Sequence, residues 1–440
     1  MPKVDPARLV AFDVLRAVDG GDAYANIELS RLLRERRLPA RDAAFATELV
    51  TGALRLRGSY DAVIDQLVNQ VLDAPVRDAL RLGSHQLLSM RVPTHAAVGT
   101  TVDLVKERVG HRPAGLVNAV LRKVGARSLG DWLAGRPLSE RTSHPAWVIE
   151  AFEHALGRPG ELEPLLAADN ERPAVTLVAR PGLATRDELG GEPVAISPYA
   201  VVLGRGDPGD LDAVRAGRAG VQDAGSQLVA IALARAQVAG ADRRWLDLCA
   251  GPGGKAALLA ALAAESGART LANERQPHRA KLVAQTTRAA TAGLLGVVAG
   301  DGTRPAWAPG TFDRVLVDAP CSGLGALRRR PESRWRRQPA DLDALVPLQV
   351  ALLGSALDSV RPGGVVVYAT CSPVVAETVG VVHAVLGARS DVHLEPIVPL
   401  LPEVADAESA HLDGALQLWP HRHRTDAMFA VLLRRNHPAG

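Results

Sequence analysis

A short apolar run, Trp245 to Cys249, stops abruptly at Gly251-Pro252-Gly253-Gly254, and an Ala/Leu-rich stretch follows from Lys255 to about Ala264. Strand, glycine turn and helix in that order form the first unit of a doubly wound, nucleotide-binding sheet. Glycines there let the backbone approach a ligand closely, and the following helix offers N–H groups that lack intrahelical partners. Taken alone, the turn fits a ligand cradle or a plain strand-to-helix connection.

The residues beyond it alternate between two periodicities. Strands are expected at Trp245–Cys249, Thr270–Asn273, Leu295–Ala299, Arg314–Asp318 and Gly364–Thr370, with helices at Lys255–Ala264, Gln276–Ala289 and Leu345–Val360. Such alternation gives a mostly parallel sheet covered by helices, whose ligands bind beyond the carboxyl ends of the strands. Chemistry is therefore sought at those ends.

Glu274 closes the second strand, 23 residues after Gly251, where such folds place a carboxylate on ribose hydroxyls. Asp301 follows the third strand in Gly-Asp-Gly, suited to an adenine amino group or a ribose. Singly, each acid is an ordinary surface carboxylate or cap; together, beside the glycine turn, they describe an adenosine-type site. The fourth strand ends in Asp318-Ala-Pro-Cys321-Ser-Gly-Leu-Gly325 and the fifth in Ala369-Thr-Cys371-Ser-Pro373. A buried free cysteine is normally a small hydrophobe, a reading that suits Cys249 better than Cys321 or Cys371. Two thiols and an acid beside an adenosine-type ligand match the needs of methyl transfer to C5 of cytosine. A thiolate adding to C6 makes C5 enamine-like, an acid assists at N3, and C5 then attacks a sulfonium methyl.

Composition narrows the alternatives. The 440 residues favour two or three domains. Net charge is +3 with an isoelectric point near 8.9, and five lysines leave nearly all the positive charge on arginine, a pattern that suits either genomic bias or nucleic-acid contact. Three cysteines without a Cys-x-x-Cys argue against a disulfide framework and a structural zinc, so no metal is expected and a reducing, cytoplasmic setting is. Asp5, Arg8 and Asp13 interrupt the N-terminus, which lacks a signal-peptide core, and no uninterrupted apolar run reaches membrane-spanning length.

Residues 1–127 read as helical throughout, with apolar spacing at Ala7–Leu15, Phe45–Leu56, Tyr60–Val71 and Val76–Leu88. The first 125 carry 18 basic and 14 acidic side chains, a larger excess than that of the whole chain. No catalytic cluster appears, which suits a binding module. A small α+β linker subdomain is expected over 128–230, with a strand at Ala174–Ala179 and Ser226 as the N-cap of an apolar helix. The sheet-forming domain would span 231–440.

Two resemblances sharpen this reading. The opening Ala-Phe-Asp-Val-Leu, Arg41-Asp42 with Glu48-Leu-Val-Thr-Gly-Ala-Leu54, and Leu116-Val-Asn-Ala-Val-Leu-Arg122 resemble the NusB family of RNA-binding helical domains. Cys249-Ala250-Gly251-Pro252-Gly253-Gly254-Lys255, Glu274, Asp301, Asp318-Ala-Pro-Cys-Ser-Gly323 and Ala369-Thr-Cys-Ser-Pro373 resemble the RNA (cytosine-C5) methyltransferases. Jointly the chain resembles the ribosomal small-subunit methyltransferase B (Sun/Fmu) family. That implies a multi-domain architecture: an all-α NusB-like bundle, the linker subdomain, and an α/β Rossmann-like methyltransferase dependent on S-adenosylmethionine. It implies Cys371 as nucleophile, Cys321 as the thiol that assists release, and Asp318 facing both cytosine and cofactor. The cofactor would be held by residues 249–255, Glu274, Asp301 and Asp318, and the substrate would be one cytosine of 16S ribosomal RNA, met by a monomer.

Arg328-Arg329-Arg330 and Arg334-Trp335-Arg336-Arg337 form an expected phosphate-gripping loop with a stacking ring, against the plainer reading of a solvated charged loop. The family pattern is broken at Ala427-Met428, where relatives carry Gly-Phe, and at Thr176–Pro181, which lacks Arg-x-Asn; both departures are expected to bear on RNA contacts rather than chemistry. DNA cytosine methylation would use Cys321 as nucleophile and leave Cys371 idle. Adenine N6 methylation would want an aromatic clamp beside Asp318, and a non-catalytic RNA-binding or antitermination factor would not need both thiols.

Overall fold

Helical spacing carries through into the first part of the computed structural model, which describes residues 4–437 apart from 22 and 205. In helix α1 (Pro6–Gly20) the buried set Ala7, Val10, Ala11, Val14, Leu15 and Val18 follows one face, and Asp5 caps the start by accepting the Ala7 N–H at 2.8 Å. Helices α2 (Ala25–Glu35), α3 (Ala40–Arg55), α4 (Arg57–Asp65), α5 (Ala74–Leu88), α6 (Thr94–Arg108) and α7 (Ala114–Val124) complete a bundle around one apolar core. A buried ion network crosses it. Arg81 on α5 donates to Asp19 on α1 at 2.7 Å, to Asp61 on α4 at 2.7 and 2.8 Å, and to Asp78 at 2.8 Å.

The chain divides into two compact units: Met1–Ile149 with Asp169–Glu171 and Leu327–Arg336, and the remaining residues. In the second unit, β1 (Val175–Ala179), β2 (Glu192–Pro193), β3 (Ala200–Leu203) and β4 (Ala219–Val221) form an antiparallel sheet in the order β2-β3-β1-β4. The helix Ala224–Arg235 follows. Its cap is Asp223, which accepts the Gly225 N–H at 3.0 Å, and Ser226 lies inside the helix. The expected Ser226 cap is thus corrected: the cap lies three residues earlier, where the Asp223 carboxylate meets the open N–H groups.

The larger sheet comprises β5 (Arg244–Asp247), β6 (Arg269–Glu274), β7 (Leu294–Ala299), β8 (Phe312–Asp318), β9 (Val360–Thr370), β10 (Val392–Glu395), β11 (Leu416–Gln417) and β12 (Phe429–Arg435). Its order is β10-β12-β9-β8-β5-β6-β7, with β11 paired to β12. The five strands from β9 to β7 run parallel, while β12 pairs antiparallel to β9 and β10 pairs antiparallel to β12. The order reverses beside β5, which places a ligand crevice at the β5/β8 carboxyl ends. Helix Gly254–Glu265 is buried from Ala256 to Ala263, and the covered strands carry apolar runs at Val315–Val317 of β8 and Val365–Ala369 of β9. Helix Leu342–Ser359 belongs to a stretch long and apolar enough to cross a membrane by length and composition; here Leu352, Leu353, Ala356 and Leu357 are buried in the core over β8 and β9.

The arginine-rich stretch departs from the expected solvent-facing grip. Arg334 is wholly buried among the helices of the first unit, donating to the Ser143 carbonyl at 3.1 Å and to Asn170 Oδ1 at 2.8 Å. Trp335 is half-buried against Gly58, where a Cβ would collide with its ring, and Arg336 donates to the Ala23 carbonyl at 2.9 Å. Arg328 is also buried, whereas Arg329 and Arg330 are exposed, Arg330 over the Tyr24 ring. Desolvating a guanidinium is tolerated only with its acceptors in place. Arg334→Ala is therefore expected to destabilise the protein by ~3 kcal/mol in urea unfolding, whereas Arg330→Ala changes stability by less than about 0.5 kcal/mol.

Candidate active site

The glycine turn closes against the second strand. The Ala250 N–H donates to the Asn273 carbonyl at 2.8 Å, and the Asn273 side chain donates to the Leu248 carbonyl at 2.9 Å and that of Gly300 at 3.2 Å. One asparagine thereby ties together the ends of three strands. A Cβ on Gly251 would fall inside the Glu274 carboxylate, so only glycine permits that carboxylate to lie over the turn. Gly253 takes φ +114°, a left-handed conformation, and Gly254 opens the helix with Lys255. Glu274 is buried and accepts the Gln276 N–H at 2.9 Å. Arg279 donates to the Gly251 carbonyl at 2.8 Å, with its Nε 3.7 Å from Glu274. Asp301 is exposed and accepts from the Thr303 N–H and hydroxyl at 3.0 and 2.8 Å, bonds that hold its carboxyl below the usual range.

These residues fit the adenosine-type ligand expected from the sequence. The cradle is one a Cβ would fill, the helix opens onto it, and acids stand at the next two strand ends. Cys249 packs as a partly buried hydrophobe with Leu246 and Leu248, and burial pushes its thiol well up. Among the described residues, no group of three metal-ligating side chains occurs.

A second layer lies beneath the turn. Asp247, at the end of β5, is wholly buried; its Oδ1 accepts the Cys249 N–H at 3.3 Å and its Oδ2 has no hydrogen-bond partner among the described residues. Burial first, and then the nearby Asp318 carboxylate, pushes Asp247 up to about 7. Lys255 Nζ lies 2.9 Å from Asp318 Oδ2. Burial works to lower the Lys255 ammonium, but the Asp318 charge and hydrogen bond outweigh it and leave it raised. Lys255 is thus the counter-ion of the acid at the fourth strand end.

The two expected thiols meet. Cys321 Sγ and Cys371 Sγ are 3.5 Å apart and both are half-buried. Parallel pairing of β8 with β9 sets Asp318 opposite Ala369, and the Ala319 N–H continues the ladder to the Ala369 carbonyl at 2.8 Å. Gly325 N–H then donates to the Cys371 carbonyl at 2.9 Å; a Cβ at Gly325 would fall on the Ala427 carbonyl oxygen. The hydrogen bond between the two sulfurs holds Cys371 below the ordinary thiol range, with help from the Lys255 ammonium and against burial and the Asp318 charge. The same hydrogen bond, with burial, pushes Cys321 well up. Of the two sulfurs, Cys371 is the more readily ionised.

Residues the sequence did not single out complete the site. Asp247 and Arg279 flank the turn, and Glu377 accepts from the serines that follow each thiol, Ser322 and Ser372. The departures from the family pattern also lie deeper than expected. The Ala427 N–H donates to the Gly325 carbonyl at 2.9 Å and Met428 sits in the core, so both underpin the thiol loops instead of facing RNA. Arg180, just past β1 in the stretch that lacks Arg-x-Asn, is buried and donates to the Gly217 and Thr286 carbonyls. In the helical unit, a groove between α6 and α7 is lined by His95, Asp103, Lys106, Asn118 and Arg122, which include the Asn and Arg of the Leu116–Arg122 motif.

With this geometry in place, comparison with known proteins gives concordant results. Residues 236–434 match the family model described as 16S rRNA methyltransferase RsmB/F, and residues 5–126 match the NusB family. A Mycobacterium tuberculosis protein, provisionally named a methyltransferase, is 53% identical over 98% of this chain and 97% of its own. A Synechocystis protein named "Probable ribosomal RNA small subunit methyltransferase B" is 32% identical over 98% and 99%. The crystal structure of PH0851 superposes with a TM-score of 0.80 at 22% identity, covering 98% and 99% of the two chains, and so shares the fold.

The raised Asp247 makes a pH prediction. Its unfolded carboxyl ionises near the ordinary 3.8 while the folded one keeps its proton to about 7, so its contribution to stability falls as pH rises between those values. Asp247→Asn removes that loss. Urea unfolding should show the variant gaining on the parent by up to ~4 kcal/mol from pH 4 to pH 7, whereas a constant difference across that window would contradict the buried, raised carboxyl.

Proposed function

This chain belongs to the RsmB/F family of 16S rRNA methyltransferases, and on that premise we propose that it methylates C5 of one cytosine in 16S rRNA through a covalent adduct of Cys371 with C6. The observation that carries the reading is the thiol pair at 3.5 Å, with Cys371 lowered and Cys321 raised. S-adenosylmethionine, the cofactor of this enzyme class, supplies an electrophilic methyl group. Residues 249–255, Glu274 and Asp301 would hold it, with Asp318 at the edge shared with the base.

C5 of cytosine is too weak a nucleophile to take a methyl group unaided. Cys371, already disposed to be a thiolate, adds to C6 and turns C5 into an enamine-like carbon. Asp318, braced by Lys255 at 2.9 Å, meets the N3 side of the base. Cys321 keeps its proton while Cys371 attacks. After C5 has taken the methyl group, Cys321, having given its own proton to solvent, accepts the C5 proton, the electrons of that bond form C5=C6, and Cys371 leaves C6 as a thiolate. A target inside a duplex would first be unstacked, so a loop or exposed end of the small-subunit RNA suits the site. We assign RNA contact to the exposed Arg329 and Arg330 and to the groove of Lys106, Asn118 and Arg122, in a cytoplasmic monomer.

Cys371→Ala is expected to reduce methyl transfer by more than ~10³-fold, while Cys321→Ala accumulates a protein–RNA adduct on denaturing gels. Full activity in Cys371→Ala with a simply dead Cys321→Ala would reverse the two roles. Because Cys321 lowers Cys371, the rate of adduct formation should fall as pH drops through the Cys371 ionisation, and that limb should move to higher pH in Cys321→Ala.

A further inference from the structure

The Glu377 carboxylate bonds to both thiol-bearing loops, and nothing in the chemistry above uses it. It lies in the turn Val375–Glu377, just after Cys371-Ser372-Pro373, and it is wholly buried. Its Oε1 accepts the Ser322 N–H at 2.7 Å and Gln349 Nε2 at 3.0 Å. Its Oε2 accepts the Ser322 hydroxyl at 2.5 Å and the Ser372 hydroxyl at 2.6 Å, and the two hydroxyls are 2.9 Å apart. Ser322 and Ser372 are the residues next to Cys321 and Cys371, 50 positions apart in the chain. Gln349 also donates to the Pro320 carbonyl at 2.8 Å. Gln349 and Glu377 together therefore grip the peptides on both sides of Cys321, while Ser372 fastens the same carboxylate to the Cys371 loop. The Tyr368 hydroxyl donates to the Glu377 carbonyl at 2.7 Å, pinning the turn to β9.

A buried carboxylate is costly unless its acceptor sites are filled, and these four contacts come from neutral donors. Loss of any loop contact would expose that cost, so the network favours a single arrangement of the two loops. We propose that Glu377 is a positioning residue that sets the separation of Cys321 and Cys371, and with it the hydrogen bond between their sulfurs. This rests on the roles assigned to the two thiols above. The substitution Glu377→Gln would keep the Oε1 acceptor and turn the other atom into a donor to the hydroxyls. Glu377→Asp would shorten the reach by one methylene, and Glu377→Ala would remove the acceptor of both serine hydroxyls and leave Gln349 with the Pro320 carbonyl.

The separation can be read without RNA. Diamide oxidises the pair to a Cys321–Cys371 disulfide, taking both thiol hydrogens onto its nitrogens, and peptide mass spectrometry distinguishes that bond from any involving Cys249. Glu377→Ala and Glu377→Asp should form it at least tenfold more slowly than the parent, and Glu377→Gln within about threefold of it. Retained S-adenosylmethionine affinity in calorimetry, within about twofold, reports an intact sheet. The acid limb for RNA-adduct formation should also move to higher pH in Glu377→Ala. Should that variant bind no cofactor, the double variant Ser322→Ala/Ser372→Ala carries the test, with a several-fold slower disulfide expected. Parent-like disulfide rates in Glu377→Ala or in the double variant would overturn the proposal. A parent protein that forms the disulfide readily but never a covalent RNA adduct would instead overturn the thiol roles on which it rests.

Discussion

The parallel pairing of β8 with β9 is the constraint on which the site depends. Asp318 stands opposite Ala369, so the two loops that leave these strands begin side by side and Cys321 and Cys371 emerge within 3.5 Å. A one-residue slip in a sheet sends each side chain to the other face, and here it would displace one thiol loop relative to the other. The pairing alone delivers the loops, not the sulfurs. The Gly325–Cys371 hydrogen bond and the Glu377 carboxylate narrow two loops to one geometry. Electrostatics follow from that geometry: two adjacent thiols share a proton unequally, and the nearby Lys255 ammonium favours charge on Cys371.

The edge proposed to hold the cofactor is set by position in the same way. Gly251 exists as glycine because Glu274 occupies the space of a Cβ, and Asn273 ties the ends of β5, β6 and β7 through two carbonyls. Asp247 is the counterweight. Its buried, raised carboxyl lowers stability near neutral pH, and it lies beneath the ligand cradle and near the Lys255–Asp318 pair. Strain of this kind is commonly stored where a protein binds and reacts, with the rest of the fold supplying the stability.

Much of this was legible in the residues. The change from helical spacing before residue 127 to alternating strand and helix after 244 pointed to the architecture, because each period reports which side of an element is buried. The placement of the glycine turn, Glu274, Asp301 and both loop cysteines at strand ends was legible, because the alternation of strand and helix marks where each strand stops. What escaped was set by distant contacts. Glu377 sits in Val-Val-Ala-Glu-Thr, which reads as the start of an apolar helix, and its partner Ser322 is 55 residues away. Lys255 reads as a helix start until Asp318 is placed beside it. The arginines misled in the other direction. Arg328 to Arg337 look like a phosphate grip, yet Arg334 is buried inside the helical unit, because charge in a sequence does not say which side of a loop is covered.

Identification of the residue that bonds to the base tests the account most directly. RNA bearing 5-fluorocytidine at the target position lacks the C5 proton whose removal frees the enzyme, so the adduct persists after methyl transfer. Peptide mapping of that adduct should place the base on Cys371 and leave Cys321 unmodified. A base linked to Cys321, or a methylated product formed with no covalent adduct at all, would contradict it.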